Sequence, residues 1–379
     1  MPLRPWAAGG ARVLAALGAA DGTTRLVGGA VRDALIGIAV SDTDLATQLT
    51  PDAVVARLEA AGIKAVPTGI AHGTITAISH GETFEVTTLR RDVSTDGRHA
   101  VVAFSDDWRA DAGRRDFTIN ALYADPLTGA VFDYFGGLDD LAARRVRFIG
   151  DAATRIAEDH LRILRFFRFH ARFGVGAPDA AGLAACAARA NDLMALSRER
   201  VRGELLKLLG VTNPVPTVAV MLAHGILTPV LPEALDVDRL ARVIAAEAAA
   251  AVEPSPLRRL ASLLPADAKL LDGVARRLRL SNAERLRLVA MAATPGADPF
   301  AEAYYDGAAA AIDRRLLAGT DASALTGWTR PRFSLSGRDL IARGVPAGPE
   351  VSRELGRLER EWVAAGFPAT ARTTKGSSV

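Results

Sequence analysis

Two aspartates separated by one residue, Asp42 and Asp44, are the side chains of this sequence that most clearly suggest catalytic chemistry. On a β-strand, residues i and i+2 point to the same face, so the two carboxylates would project together. Neighbouring carboxylates repel each other, and a bound cation relieves that repulsion. Mg²⁺ prefers carboxylate oxygens combined with substrate phosphates, and paired ions activate a hydroxyl nucleophile and stabilise a leaving pyrophosphate. The pattern predicts a magnesium site at Asp42 and Asp44, with Glu85 as a candidate third acid. The alternative for the two aspartates is a solvated turn, and the alternative for Glu85 is an exposed glutamate on a strand.

A glycine pair, Gly28-Gly29, precedes these acids and ends a short apolar run. Two glycines allow the backbone to approach a phosphate closely, and the helix predicted at residues 30–36 would begin beside it. Arg32 in the first turn of that helix could hold phosphate oxygens. By itself such a pair more often marks an ordinary turn, so its weight comes from the acids that follow.

The segment of residues 158–172 predicts one helix with a charged side and an apolar side. Its charged half contains Asp159, Arg162, Arg165, Arg168 and Arg172. Its apolar side contains Ile163, Leu164 and Phe167. The plainer interpretation is a solvated face in which Asp159 and Arg162 form an ion pair three residues apart.

The chemistry of Asp159 and Arg162 also suits the recognition of nucleotide bases. An ionised aspartate only accepts hydrogen bonds and an arginine only donates them. Cytosine and adenine each present an amino donor beside a ring-nitrogen acceptor, whereas uracil and guanine present a carbonyl and a ring N–H. Because an unpaired buried polar group costs about 1–3 kcal/mol, an Asp–Arg pair can select C and A without a template. Arg165 and Arg168 remain for a triphosphate or for holding the helix.

The elements that must position these residues change character near residue 150. Apolar and β-branched runs predict strands at residues 25–28, 42–46, 73–79, 83–89, 118–124 and 130–134. Helices are predicted at residues 30–36 and 51–61, and almost only helices from residue 152 onward. The expected fold class is therefore α+β with a small mixed or antiparallel sheet, followed by an all-α region.

Composition restricts the classes of protein further. Of 379 residues, 49% are hydrophobic and 23% charged, which predicts a globular chain. The single cysteine excludes a disulfide framework and a cysteine-based zinc cluster, and favours a cytoplasmic location. A net charge of +3 and a pI of about 9.3 are compatible with an RNA partner. The sequence predicts no membrane span and no protein partner; residues 1–20 are expected to form a first helix rather than a transit peptide.

Three segments together resemble the class II CCA-adding tRNA nucleotidyltransferases and bacterial poly(A) polymerases. They are residues 26–47 (LVGGAVRDALIGIAVSDTDLAT), 114–122 (RRDFTINAL) and 158–168 (EDHLRILRFFR). The resemblance implies a polymerase-beta-like nucleotidyltransferase head at residues 1–150, a helical neck that recognises the base at 151–210, and a helical body and tail that bind tRNA at 211–379.

The resemblance also implies roles for individual residues. Asp42 and Asp44 would bind Mg²⁺ and catalyse the reaction. The nucleotide would contact Gly29, Arg32, Arg115, Asp159, Arg162, Arg165 and Arg168. Asp116 would join the second motif to the neck.

The function implied is the addition of C, C and A to the 3′ end of tRNA from CTP and ATP. A flexible loop expected at residues 90–110, including 96–99, favours addition of all three nucleotides over addition of C alone. Poly(A) polymerase shares every motif quoted and remains the nearest alternative. A non-catalytic RNA- or nucleotide-binding module is the alternative from another class, although such a module has no need for two clustered acids.

Overall fold

The computed structural model describes residues 8–40, 43–70, 73–95, 100–234 and 237–368. The chain divides into two compact units, Met1–Val230 and Leu231–Val379. Among the described residues, no helix is both long enough and apolar enough to cross a lipid bilayer.

All the strands of the described residues belong to the first unit. They are β1 (Thr24–Val27), β2 (Thr43–Thr47), β3 (Lys64–Gly69), β4 (Thr74–Ser79), β5 (Glu82–Thr88), β6 (Arg90–Thr95), β7 (Ala100–Phe104), β8 (Leu122–Ala124) and β9 (Val131–Asp133). Within the described residues, seven of them form one sheet in the order β3-β4-β5-β2-β1-β8-β9, while β6 and β7 form a separate hairpin. Among the described strands of this sheet only β2 and β5 pair in parallel, so the sheet is mixed, which is one of the two arrangements that the sequence predicts.

The described residues of the first unit also form ten α-helices. They are α1 (Ala8–Ala16), α2 (Gly29–Leu35), α3 (Pro51–Ala60), α4 (Trp108–Gly113), α5 (Gly137–Ala142), α6 (Ala152–Glu158), α7 (Arg162–Phe173), α8 (Ala180–Ala188), α9 (Arg198–Leu209) and α10 (Val215–Ala223). The expected first helix is confirmed for Ala8–Ala16, which packs against β4 and β5, while residues 1–7 of that prediction lie outside the described residues. A Cβ on Gly9 would lie only 2.5 Å from the carbonyl oxygen of Ser79, so glycine permits this close approach.

The second unit is helical in its described residues. Its helices are α11 (Val237–Ala249), α12 (Pro256–Ser262), α13 (Ala268–Arg277), α14 (Asn282–Ala290), α15 (Pro299–Asp306), α16 (Ala308–Ala318), α17 (Gly337–Ala342) and α18 (Pro349–Ala364). A buried ion network lies among them, in which Arg258 donates to Glu247 at 2.6 Å and to Asp313 at 2.9 Å. The expectation of an all-α region in this part of the chain is confirmed.

The predicted loop at residues 90–110 is wrong for the part of it that the structure describes. β6 and β7 pair in antiparallel fashion, and α4 begins at Trp108. The β-branched residues Val93 and Thr95 in β6 and Val101 and Val102 in β7 favour this pairing over an open loop. Residues 96–99, which belong to the loop expected to favour addition of all three nucleotides, lie outside the described residues.

The strand predicted at residues 118–124 is only half correct. Residues Thr118–Asn120 form a single 3₁₀ turn, and β8 begins at Leu122. The side chain of Asn120 donates to Asp116 at 3.0 Å, and this local bond bends the chain away from an extended course. β3 was not predicted.

The single helix predicted through Asp159 is also wrong. α6 ends at Glu158, and Asp159 has extended backbone angles, φ −154° and ψ 105°. α7 then begins at Arg162, so Asp159 lies at the junction between two helices rather than on the arginine-bearing face. The apolar side of α7 is as expected, since Ile163, Leu164 and Phe167 are all buried.

Candidate active site

A cleft of about 540 Å³ in the first unit brings most of the predicted site residues together. Its lining comprises Gly28, Gly29, Arg32, Asp44, Arg90, Arg114, Arg115, Asp116, Asn120, Asp159, Arg162, Arg165 and Phe169. Six of these residues are arginines and three are aspartates. The lining is therefore net positive, as a site for a polyanionic substrate requires.

The glycine turn at one wall of the cleft has a conformation that only glycine adopts readily. Gly28 has φ 67° and ψ −121°. A Cβ at this position would lie 3.3 Å from Nη1 of Arg115 and 3.5 Å from the carbonyl oxygen of Asn120. The backbone N–H of Gly28 donates to the carbonyl of Leu122 at 2.9 Å, which fixes the turn against β8.

Arg32 follows this turn and is held by its own partners. It donates through Nε to Asp33 at 2.8 Å and through Nη1 to the side-chain oxygen of Asn120. Its guanidinium lies 4.1 Å from the ring centroid of Phe173. Burial lowers the pKa of Arg32 in spite of the nearby Asp33. These contacts leave its position in the cleft fixed before any ligand binds.

Of the two predicted metal-binding acids, the structure describes only Asp44, because Asp42 lies outside the described residues. Asp44 is in β2 and is the register partner of Glu85 on β5. Register partners on adjacent strands project to the same face, so these two acids share a side of the sheet. No group of three metal-ligating side chains occurs among the described residues, which omit Asp42. The available oxygen donors match the preference of Mg²⁺.

Behind the cleft, a buried carboxylate connects several of its lining residues. Asp111 on α4 accepts from Nε of Arg114 at 2.9 Å and from Nη2 of Arg115 at 3.3 Å. It also accepts from the hydroxyl of Tyr123 at 2.5 Å and from the backbone N–H of Arg90 at 3.2 Å. Burial opposes its ionisation, but Arg115 and Arg114 outweigh this effect and lower the pKa of Asp111. Burial and Asp111 together raise the pKa of Tyr123, which remains a hydroxyl donor.

Asp116 joins the second motif to α7. It accepts from Nε of Arg165 at 2.7 Å and from the backbone N–H of Phe117 at 2.9 Å. Burial alone would raise the pKa of Asp116, but Arg165 and Asn120 lower it instead. These contacts agree with the structural role expected for Asp116, and they occupy Arg165 at the same time.

Asp159 lies in the cleft without the Arg162 partner that the ion-pair interpretation required. Its Oδ1 accepts from the backbone N–H of Leu161 at 3.0 Å, and its Oδ2 accepts from Arg200 at 2.7 Å. A carboxylate has about four acceptor positions, so two remain for a ligand.

Arg162 is fixed by a different set of contacts. Its Nη1 donates to Glu158 and, at 3.0 Å, to the carbonyl of Arg155. Its Nη2 donates to the carbonyl of Arg114 at 3.1 Å. Three of the five N–H groups of this guanidinium are engaged by these described residues. The remaining two are available to a ligand in the cleft.

Arg168 is the described site residue that the cleft does not include in its lining. It donates to Glu204 on α9 at 2.5 Å, and its guanidinium lies 4.3 Å from the ring centroid of Phe169. In this structure Arg168 connects α7 to α9.

Four lining residues were not singled out from the sequence: Arg90, Arg114, Asn120 and Phe169. Arg114 and Asn120 belong to the segment RRDFTINAL, so the motif itself was the signal for them. Arg90 reaches the cleft through the start of the β6–β7 hairpin, and no local pattern marks it.

Two family models match this chain. Residues 24–147 match the poly A polymerase head domain, and residues 179–237 match the model described as "Probable RNA and SrmB- binding site of polymerase A". The mixed sheet, the glycine turn and the arginine-lined cleft thus define a polymerase-type nucleotidyltransferase. Nucleotidyltransferases of this kind generally depend on a divalent metal.

Relatives with established names identify the family more narrowly. The mitochondrial CCA tRNA nucleotidyltransferase 1 of Mus musculus is 36% identical over 375 residues, covering 90% of this chain and 83% of the relative. The same enzyme of Danio rerio is 38% identical over 362 residues, covering 89% of this chain and 83% of the relative. The CCA-adding enzyme of Leuconostoc citreum is 42% identical over 186 residues, covering 48% of this chain and 44% of the relative. The chain belongs to the CCA tRNA nucleotidyltransferase family.

Solved structures confirm the fold over nearly the whole chain. The CCA-adding enzyme of Bacillus stearothermophilus, in complex with CTP, matches with a TM-score of 0.72 and 25% identity over 94% of this chain and 93% of that one. The Thermotoga maritima CCA-adding enzyme complexed with tRNA matches with a TM-score of 0.67 and 20% identity, covering 91% and 88%. The predicted fold class, a nucleotidyltransferase head followed by helical domains, is confirmed.

Proposed function

We propose that this chain adds C, C and A to the 3′ end of tRNA from CTP and ATP, releasing pyrophosphate at each step. The observation that carries the proposal is the presence of Asp159 and Arg162 in the same cleft as Asp44 and the glycine turn. A base-reading pair and a phosphate-binding region then face one substrate. The relatives named as CCA tRNA nucleotidyltransferases support the same activity.

Base selection follows from the hydrogen bonds that Asp159 and Arg162 still have available. Asp159 accepts from the amino group of cytosine or adenine, and Arg162 donates to the adjacent ring nitrogen. With uracil or guanine the same edge places acceptor against acceptor and donor against donor. Because Leu161, Arg200 and Glu158 hold both side chains before the nucleotide arrives, little ordering is required on binding.

Asp42 and Asp44 would hold Mg²⁺ beside the glycine turn, with Glu85 as the candidate third acid. The bound ion supplies Lewis-acid stabilisation of the charge that develops on the transferring phosphate. Gly29, Arg32 and Arg115 would contact the triphosphate. Arg165 and Arg168 were also expected to contact the nucleotide. Because Arg165 donates to Asp116 and Arg168 donates to Glu204, we assign both arginines mainly to the positioning of α7.

The domain roles are part of the proposal. Residues 1–150 would form the catalytic head, 151–210 the neck, and 211–379 the tRNA-binding body and tail. The match of residues 179–237 to an RNA-binding model supports an RNA contact in and beyond the neck. The cytoplasm remains the predicted compartment, although the vertebrate relatives are mitochondrial.

A primer-extension assay tests the activity. Purified chain receives tRNA lacking its last three nucleotides, with CTP alone, ATP alone, or both, in the presence of Mg²⁺. We expect two residues added with CTP alone, none with ATP alone, and three with both. Long A tails would favour the poly(A) polymerase alternative, and absence of extension would favour the non-catalytic module. The Asp44→Asn variant is the matched negative control.

A further inference from the structure

Asp111 lies behind the cleft and has a set of contacts that the proposed chemistry does not use directly. It is 1% exposed and is not part of the cleft lining. Three of its four hydrogen-bond partners, however, belong to residues that do line the cleft: Arg90, Arg114 and Arg115. The fourth is the hydroxyl of Tyr123.

The two oxygens of this carboxylate serve different neighbours. Oδ1 receives the backbone N–H of Arg90 and Nε of Arg114. Oδ2 receives Nη2 of Arg115 and the hydroxyl of Tyr123. Tyr123 in turn accepts from Nε of Arg115 at 3.3 Å. Arg115 is thus held at two of its nitrogens, while its Nη1 approaches the glycine turn at Gly28.

Arg114 and Arg115 are adjacent in sequence and carry like charges into one cleft. Without a counter-charge their mutual repulsion would favour separate, solvent-directed conformations. Asp111 offsets that repulsion from the protein side and leaves the remaining N–H groups of both arginines directed at the cleft. The carbonyl of Arg114 also accepts from Arg162, so the same network reaches the proposed base-reading residue.

We propose that Asp111 is a positioning residue that sets the preference of this site for a nucleoside triphosphate over a monophosphate, by holding Arg114 and Arg115. The inference rests on the proposed function, because it assumes that these arginines face the triphosphate. A buried carboxylate with arginine partners is often no more stabilising than apolar residues of similar volume. A role in aligning ligand-binding arginines therefore explains this cluster better than fold stability does.

The test compares the dissociation constants of CTP and CMP for the full-length chain, measured by titration calorimetry with equal Mg²⁺ and no tRNA. In Asp111→Asn, the amide offers one oxygen and one NH₂, so one pair of donors loses its acceptor. We expect CTP binding to weaken about tenfold, equivalent to about 1.4 kcal/mol. CMP, which lacks the outer phosphates, should change by less than about threefold, so the CTP preference falls.

Two further variants separate positioning from stability. Tyr123→Phe keeps the buried ring but removes one acceptor of Arg115, and should lower the CTP preference by a smaller factor. Asp313→Asn removes a similarly buried carboxylate whose partners, Arg258 and Arg287, belong to the second unit. It should lower the melting temperature and leave the CTP preference unchanged.

An unchanged CTP preference in Asp111→Asn would overturn the proposal, as would an equal loss in Asp313→Asn. If Asp111→Asn does not fold, Tyr123→Phe decides, and a preference equal to that of the wild type overturns the proposal. Because the readout is binding without tRNA, failure of the wild type to extend tRNA would refute the proposed function separately and leave this comparison valid.

Discussion

Replacing Asp159 with asparagine changes the hydrogen-bonding pattern of the proposed base-reading pair without changing its size. The carboxylate accepts at both oxygens, from Leu161 and from Arg200. In the amide, one oxygen becomes an NH₂ donor, whichever way the group is oriented. In one orientation the new NH₂ group faces the amino group of cytosine. In the other it faces one of the two donors that the carboxylate accepts from, the N–H of Leu161 or the guanidinium of Arg200.

The size of the effect follows from the burial of this side chain. A fully buried unpaired group costs about 1–3 kcal/mol. The side chain of Asp159 is 29% exposed and its partner Arg200 is 42% exposed, so water partly satisfies the unpaired donor. We therefore expect a loss near the lower end, about 1.4 kcal/mol, or tenfold in the ratio of kcat/KM for CTP over UTP. Part of that change should be a gain with UTP, whose carbonyl accepts from the new amide.

The assay measures kcat/KM for incorporation of CTP and of UTP onto tRNA lacking its last three nucleotides. Asp192→Asn is the matched control, because Asp192 is a partly exposed carboxylate paired with Arg189 and is not among the cleft-lining residues. The control should discriminate as the wild type does. If Asp159→Asn retains the CTP preference within about twofold, the base-reading argument is wrong.

Three other predictions concern the glycine turn, the metal site and the response to acid. Gly28→Ala should lose activity and about 1–3 kcal/mol of unfolding free energy measured in urea, because alanine is strained at φ 67°, ψ −121°. The control is Gly22→Ala, at φ 74° with open space around it, which should lose less stability and no activity. Asp44→Asn should reduce nucleotide addition at least about a thousandfold with an unchanged melting temperature, since several kcal/mol of charge stabilisation depend on the metal. The pKa of Asp116 is lowered in the folded state, so its ionised form stabilises the fold at pH values above the unfolded-state pKa of about 3.9, and this stability is lost as the pH falls through the folded-state pKa. In acid titrations followed by circular dichroism, Asp116→Asn should therefore lose stability less steeply below about pH 4 than the wild type. An identical slope in the two proteins would contradict this assignment.

Sequence patterns predicted the elements whose structure depends on local residues. The run before Gly28 forms β1, and the alternation in residues 74–79 gives β4 its buried Ile75 and Ala77. The apolar side of α7 follows directly from helical spacing. In β4 and α7 the periodicity indicates which side chains face the core, whereas β1 buries the consecutive residues Leu26 and Val27.

Helical spacing could not reveal the break at Asp159. The side chain of Asp159 accepts the backbone N–H of Leu161, and this local bond competes with continuation of α6. The 3₁₀ turn before β8 has a similar cause in the bond between Asn120 and Asp116. Such side-chain contacts depend on geometry that a periodic pattern does not contain.

The sequence motifs predicted many of the residues that belong to the site, but not the hydrogen bonds and ion pairs that join those residues. The motifs predicted Gly29, Asp44 and Arg115 as site residues, and all three line the cleft. Arg90 reaches the cleft because the β6–β7 hairpin begins beside Asp111, and that approach depends on the tertiary fold.

The most direct test of the account is the sequence of the 3′ ends after prolonged incubation of tRNA lacking its last three nucleotides with all four nucleoside triphosphates and Mg²⁺. Selection by Asp159 and Arg162 predicts that only C and A are incorporated, and the proposed function predicts ends that read C, C, A, with no further growth. Incorporation of U or G at comparable frequency would contradict the base selection, and continued growth beyond the third nucleotide would contradict the proposed function.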